Sequence, residues 1–122
     1  MPKTVLVADD SDMIRKLLCR LFETEEDYEL CAEAKNGEEA ISLAVIHKPD
    51  LIIMDVSMPV MDGRATIYAL LKINPKAKII AMSGMDEAES VAKASTAGIK
   101  YFISKPYTAA TLLKTLRTIA EG

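Results

Sequence analysis

Asp9 and Asp10 stand together after a short apolar run. Asp55 ends a second run, Ser83 follows a third, and Lys105 lies just beyond a fourth. Carboxylates gathered in one place repel each other, more strongly as the local dielectric falls. Such a group needs a counter-charge. A lone lysine supplies one positive charge; a hard divalent cation supplies two and takes oxygen ligands. Mg2+ characteristically binds through one or two carboxylates, several waters and phosphate oxygens. One carboxylate is then left to act as a nucleophile, and aspartate is a covalent phosphate acceptor in other enzymes. In phosphoryl transfer a protein mainly positions groups and neutralises developing charge. Mg2+ would offset charge on the transferring group, while Lys105 and the Ser83 hydroxyl would bind its remaining oxygens. Taken singly, these residues are ordinary: a turn or cap aspartate, a turn serine, a solvated lysine. They carry chemistry only if a fold gathers them.

The elements that must position them alternate along the chain. Thr4 to Ala8 is a short β-branched run. Ser11 to Phe22 reads as a helix, capped by Asp10 or Ser11, with Ile14, Leu17, Leu18, Leu21 and Phe22 at helical spacing. Tyr28 to Ala34 alternates as a half-buried strand, and Asn36-Gly37 marks a turn. Glu38 to His47 is helical, with Ala40, Ile41, Ala44 and Val45 on one side, and Lys48-Pro49-Asp50 stops it. Leu51 to Met54 is a strand covered on both faces, ending at Asp55. Arg64 to Ile73 is a third helix, Ile79 to Met82 a fourth strand and Asp86 to Ala97 a further helix closed by Gly98. Tyr101 to Ile103 is a fifth strand. Thr108 to Ala120 is a last helix, with Leu112, Leu113, Leu116 and Ile119 inward. Strict alternation predicts an α/β fold: a doubly wound, five-stranded parallel sheet with five helices on its two faces. In such sheets the functional crevice lies outside the carboxyl ends of the strands, where all of these polar residues fall.

Composition excludes several classes. The chain has 122 residues, half apolar and 27% charged, with few aromatics and no tryptophan. That is an ordinary globular balance, with an aliphatic core and one domain over residues 1–122. A net charge of −3 lacks the basic footprint of nucleic-acid binding. Cys19 and Cys31 make no disulfide framework and read as small buried thiols of a reducing compartment. The start, MPKTVLVADD, is too short in apolar residues for a signal peptide, and no run approaches the ~18 residues of a membrane span. A cytoplasmic protein without direct nucleic-acid or membrane partners is expected. The loop after the first strand, Ala8-Asp9-Asp10-Ser11-Asp12, also lacks the glycines of a dinucleotide-binding turn or P-loop. It would repel a bare phosphate and face one only through a metal ion, which disfavours flavin binding too.

Asp9-Asp10, the stretch Asp55-Val56-Ser57-Met58-Pro59-Val60-Met61-Asp62-Gly63, Ser83 and Lys105-Pro106 together resemble the receiver domain of two-component response regulators. The resemblance runs from Lys3 to about Ala120. It implies a flavodoxin-like sheet of order 2-1-3-4-5, an order carried over from chemotaxis receivers. It implies that Asp55 is the phosphoacceptor, charged by a histidine kinase or histidine phosphotransfer protein. Asp10, Asp55 and the Ser57 carbonyl would bind Mg2+ directly, and Asp9 mostly through water. Lys105 and Ser83 would contact the acyl phosphate. Ser83 and Phe102 would act as the switch, rearranging the face made by helix 86–97, strand 101–103 and helix 108–120. That face would address a downstream effector protein or a fused output domain. The phosphotransfer and autodephosphorylation would be self-catalysed; the domain is a signalling acceptor rather than an enzyme.

This chain departs from the family pattern in two places. Phe102 has no hydroxyl for a hydrogen bond, and Ser83 stands where threonine is commoner. Met13 and Leu17, with Pro106, suggest an apolar docking patch for the phosphodonor, although Leu17 reads equally as core. His47 suits a helix C-terminus, and Asp62 reads as the cap of the third helix. Two rivals remain. A small Mg2+-dependent phosphohydrolase using Asp55 would need an acid/base carboxylate where Ser57 stands. An unphosphorylated interaction module would have no use for the intact acidic set.

Overall fold

The computed structural model describes residues 2–55, 63–83, 92, 95, 96, 98–104 and 108–121. Its elements are β1 (Lys3–Ala8), α1 (Asp12–Glu23), β2 (Tyr28–Ala34), α2 (Gly37–His47), β3 (Leu51–Asp55), α3 (Gly63–Ile73), β4 (Lys78–Ser83), β5 (Tyr101–Ser104) and α4 (Ala109–Glu121). The strands form one sheet of order β2-β1-β3-β4-β5. Every neighbouring pair is parallel. The expected order is therefore observed. Among the described residues there are four helices, not five. The helix expected over 86–97 lies mostly outside the described residues, although 92, 95 and 96 are helical. Gly98 beyond it has φ of 118°, a conformation that costs glycine little.

The period-2 alternation of the strands sorts two cores. On one face Val5, Val7, Leu51, Ile53, Ile80, Met82 and Ile103 meet Leu18 and Phe22 of α1 and Leu112, Leu116 and Ile119 of α4. On the other, Leu6, Ala8, Ile52, Met54 and Ala81 meet Ala40 and Ala44 of α2 and Ile67 and Leu70 of α3. All of β3 is buried, which explains its unbroken apolar run. Each large aliphatic side chain so buried contributes about 1.5–3 kcal/mol relative to exposure.

Local signals fix the helix starts. Ser11 caps α1, its hydroxyl accepting from the Ile14 N–H at 3.3 Å. Asn36 caps α2 by accepting from the Glu39 N–H at 2.8 Å, so Asn36-Gly37 is a helix entry rather than a free turn. Thr108 does the same for Thr111 of α4 at 3.1 Å.

Three expectations are corrected. Leu17 is 54% exposed, so it is not core. Val45 is also exposed; apolar residues surround most of α2, so the sequence marks no single inner face. Cys19 of α1 and Cys31 of β2 are only half-buried, and β2 is an edge strand. There the pairing passes from Val5↔Leu30 to Leu6↔Ala32, leaving Cys31 as an extra residue that breaks the alternation.

Candidate functional site

Parallel register places the ends of the central strands side by side. Ala8 of β1 lies opposite Met54, Asp55 opposite Met82, and Ser83 opposite Ser104. Asp9 follows β1 directly and Asp55 ends β3, so two buried carboxylates meet at the rim. Asp10 joins them from the solvent side. One carboxylate oxygen from each of Asp9, Asp10 and Asp55 lies within 4.8 Å of the other two.

The turn after β1 is built to hold this. The Asp9 N–H donates to the Ala34 carbonyl at 3.0 Å. Asp9 Oδ1 accepts from the Ser11 N–H at 2.9 Å, an Asx turn that aims the chain into α1. The Asp9 carbonyl accepts from Arg15 Nη1. Arg15 is buried, donating also to Asp12 and, through Nε, to Glu33 at 3.2 Å. Sequence reasoning missed Arg15, because a base on an amphipathic helix reads as a solvated charge. The available signal was its spacing: Arg15, Leu18 and Phe22 share one helical stripe, all buried. Glu33 also accepts from the Cys19 thiol at 3.2 Å. Burial first, then the hydrogen bond to Glu33 and its charge, push that thiol up to about 11. Burial likewise raises Cys31.

The donor set fits a hard divalent cation. Three carboxylates leave coordination positions for water and phosphate, as Mg2+ requires, and are too few for a dedicated Ca2+ cage. Two of the carboxylates are buried, and buried like charges are costly unless something neutralises them.

Ser83 ends β4 at the same rim, paired with Ser104 of β5. Phe102 is half-buried and packs against the α2–α3 side of the sheet. Ser57, Lys105, Pro106 and Asp62 lie outside the described residues. Met13 and Leu17 of α1 are exposed, at 72% and 54%.

Residues 5–117 match the response regulator receiver domain family. The chain belongs to this family. It is therefore a receiver domain of the two-component type, a family of signalling proteins rather than dedicated enzymes. It is 38% identical to the chemotaxis protein CheY of Thermotoga maritima, over 99% of this chain and the whole of that protein. It is 38% identical to the transcriptional regulatory protein PdtaR of Mycobacterium tuberculosis over 93% of this chain, and spans 54% of that longer protein. Among solved structures, the receiver domain of AraT from Geobacillus stearothermophilus superposes with a TM-score of 0.85. That match has 30% identity and covers 99% of this chain and 95% of that one. CheY6 of R. sphaeroides, solved in complex with the P1 domain of CheA3, superposes with a TM-score of 0.84 at 30% identity, covering 99% of this chain and 98% of that one. Among the described residues of this receiver, no helix is long and apolar enough to cross a membrane.

Proposed function

We propose that this receiver takes a phosphoryl group onto Asp55 from a histidine kinase or histidine phosphotransfer protein, with Mg2+ as cofactor. One observation carries the reading. Asp55 ends a central strand of a receiver fold with the oxygens of Asp9 and Asp10 within 4.8 Å. Asp10 and Asp55, with the Ser57 carbonyl, would hold the ion directly; Asp9, turned into the chain by Ser11, would act mostly through water. Mg2+ supplies charge neutralisation for the transferring phosphoryl oxygens. An Asp55 carboxylate oxygen attacks phosphorus, the P–N bond to the donor imidazole breaks, and its electron pair stays with the imidazole, which takes up a proton. Lys105 and Ser83 bind the oxygens of the acyl phosphate.

Asp55 phosphorylation then favours a state in which Ser83 and Phe102 rearrange the face formed by residues 86–97, β5 and α4. The half-buried setting of Phe102 suits a side chain with two alternative positions. The signal passes to an effector protein or a fused output domain. Residues 1–122 act as one receiver domain in the cytoplasm, with a fifth helix over 86–97. The docking of CheY6 on the CheA3 P1 domain supports a phosphotransfer partner here, and exposed Met13 and Leu17 offer it an apolar contact.

Incubation with acetyl phosphate or phosphoramidate and Mg2+, followed by intact mass, tests this. The gain of one phosphoryl group in the native chain and none in Asp55→Asn is expected. A folded native chain that gains nothing contradicts it. Multiple-turnover release of phosphate from varied monoesters would instead favour the phosphohydrolase.

A further inference from the structure

Among the described residues the buried polar set is Asp9, Arg15, Asp55 and Thr66. Arg15 has no part in the phosphoryl transfer set out above, yet it lies against the acidic turn. Burying a guanidinium is costly unless its donors are met. Here Nη1 donates to the Asp9 carbonyl, Nη2 to Asp12 and Nε to Glu33 at 3.2 Å. The first contact bears on the site. That carbonyl belongs to the planar peptide joining Asp9 to Asp10. The other side of Asp9 is also held, through its N–H and the Ala34 carbonyl at 3.0 Å. With both fixed, the direction in which the chain delivers Asp10 is set. Glu33 stands in β2 opposite Val7 and steadies the far side of the guanidinium.

We propose that Arg15 is a positioning residue for the cation site: it locks the Asp9–Asp10 peptide so that the carboxylates converge on one ion, with Glu33 as its anchor. This rests on the Mg2+ reading above. A planar fork can meet acceptors in several directions at once, which a lysine ammonium on a flexible stem does less well. Groups that orient metal ligands typically change metal affinity about 10–100-fold when removed. Charge alone gives the opposite sign, since removing a cation beside three carboxylates should tighten Mg2+ binding. The sign of the effect therefore separates positioning from simple electrostatics.

The test is calorimetric titration of Mg2+ into the full chain and its variants. Arg15→Met keeps the apolar stem and should weaken binding about 10-fold or more. Arg15→Lys should recover part of the loss. Glu33→Gln should weaken binding about threefold alone, and add nothing to Arg15→Met, because coupled positions are not additive. The Glu33 side chain is 46% exposed, so this variant keeps the fold and tests the anchor even where Arg15→Met does not fold. An unchanged or tighter Mg2+ affinity in folded Arg15→Met, or in Glu33→Gln, overturns the proposal. A native chain that binds no Mg2+ overturns the metal reading and this role with it. A native chain that binds, beside variants that bind equally, refutes the Arg15 role alone.

Discussion

Asp50 and Asp55 bracket the same strand and meet opposite surroundings. Asp50 is a joint. Its Oδ2 accepts the Thr4 N–H at 2.9 Å and the Thr4 hydroxyl at 3.2 Å. Its own N–H donates back to the Thr4 carbonyl at 3.0 Å, and its carbonyl accepts the Lys78 N–H at 3.1 Å. One residue thus ties the amino ends of β1, β3 and β4. Asp55, at the other end, is buried with the oxygens of two further carboxylates within 4.8 Å. A carboxylate ringed by donors stabilises the fold. Carboxylates that converge repel one another, and a cation between them relieves that repulsion. The same side chain type joins strands at one end of β3 and gathers with other carboxylates at the other, and the difference lies in its neighbours.

Substitutions should separate the two ends. Asp10→Asn should weaken Mg2+ binding about 10-fold or more. It should also raise the stability of the metal-free chain by up to about 1 kcal/mol, by removing one of three like charges. Calorimetric titration and urea denaturation in chelator read the two effects, and a drop in metal-free stability would erase the contrast. Asp50→Ala should do the reverse: a loss of about 1–2 kcal/mol for charge-assisted hydrogen bonds in an exposed setting, with Mg2+ affinity unchanged. A large fall in Mg2+ affinity for a folded Asp50→Ala would mean that the two ends are not independent.

Glu33 extends the contrast to a third carboxylate, one that meets a thiol. The Cys19 thiol moves from its ordinary 9.0 up to about 11, through burial and then Glu33. A raised folded value means the folded chain holds this proton more tightly than the unfolded one. Its contribution to stability is full below pH 9.0 and is lost as pH rises toward about 11. Below that window, the folded chain carries about 100-fold less Cys19 thiolate than an unshifted thiol, and thiolate is the reactive form. Iodoacetamide should label Cys19 far more slowly in the folded chain than in urea at pH 8.5. Equal rates would remove the Glu33 contact from the description.

Much of this was legible in the sequence. The apolar runs of β1, β3 and β4 are buried on both faces, so their composition marks them without help from periodicity. That legibility carried the placement of Asp9, Asp10 and Asp55, since each lies at or next to a strand end; the sheet order came from the family resemblance, because apolar runs do not say which strands are neighbours. What the sequence hid depends on tertiary surroundings. Leu17 sits at core spacing on α1 but faces solvent, because the sheet covers only the stripe through Leu18 and Phe22. Arg15 lies on that covered stripe, and nothing in one helix shows that Asp9, Asp12 and Glu33 will meet its donors. Cys31 was read as buried because nothing in its own segment marks β2 as the edge of the sheet, or the bulge that displaces it.

The most direct test of the acidic site is the position of a divalent ion in a crystal grown with Mn2+ in place of Mg2+. A single anomalous peak is expected at the rim, about 2.0–2.3 Å from oxygens of Asp10 and Asp55. Density at another place, or carboxylates turned apart around an empty rim at saturating metal, would contradict the claim that these residues share one ion.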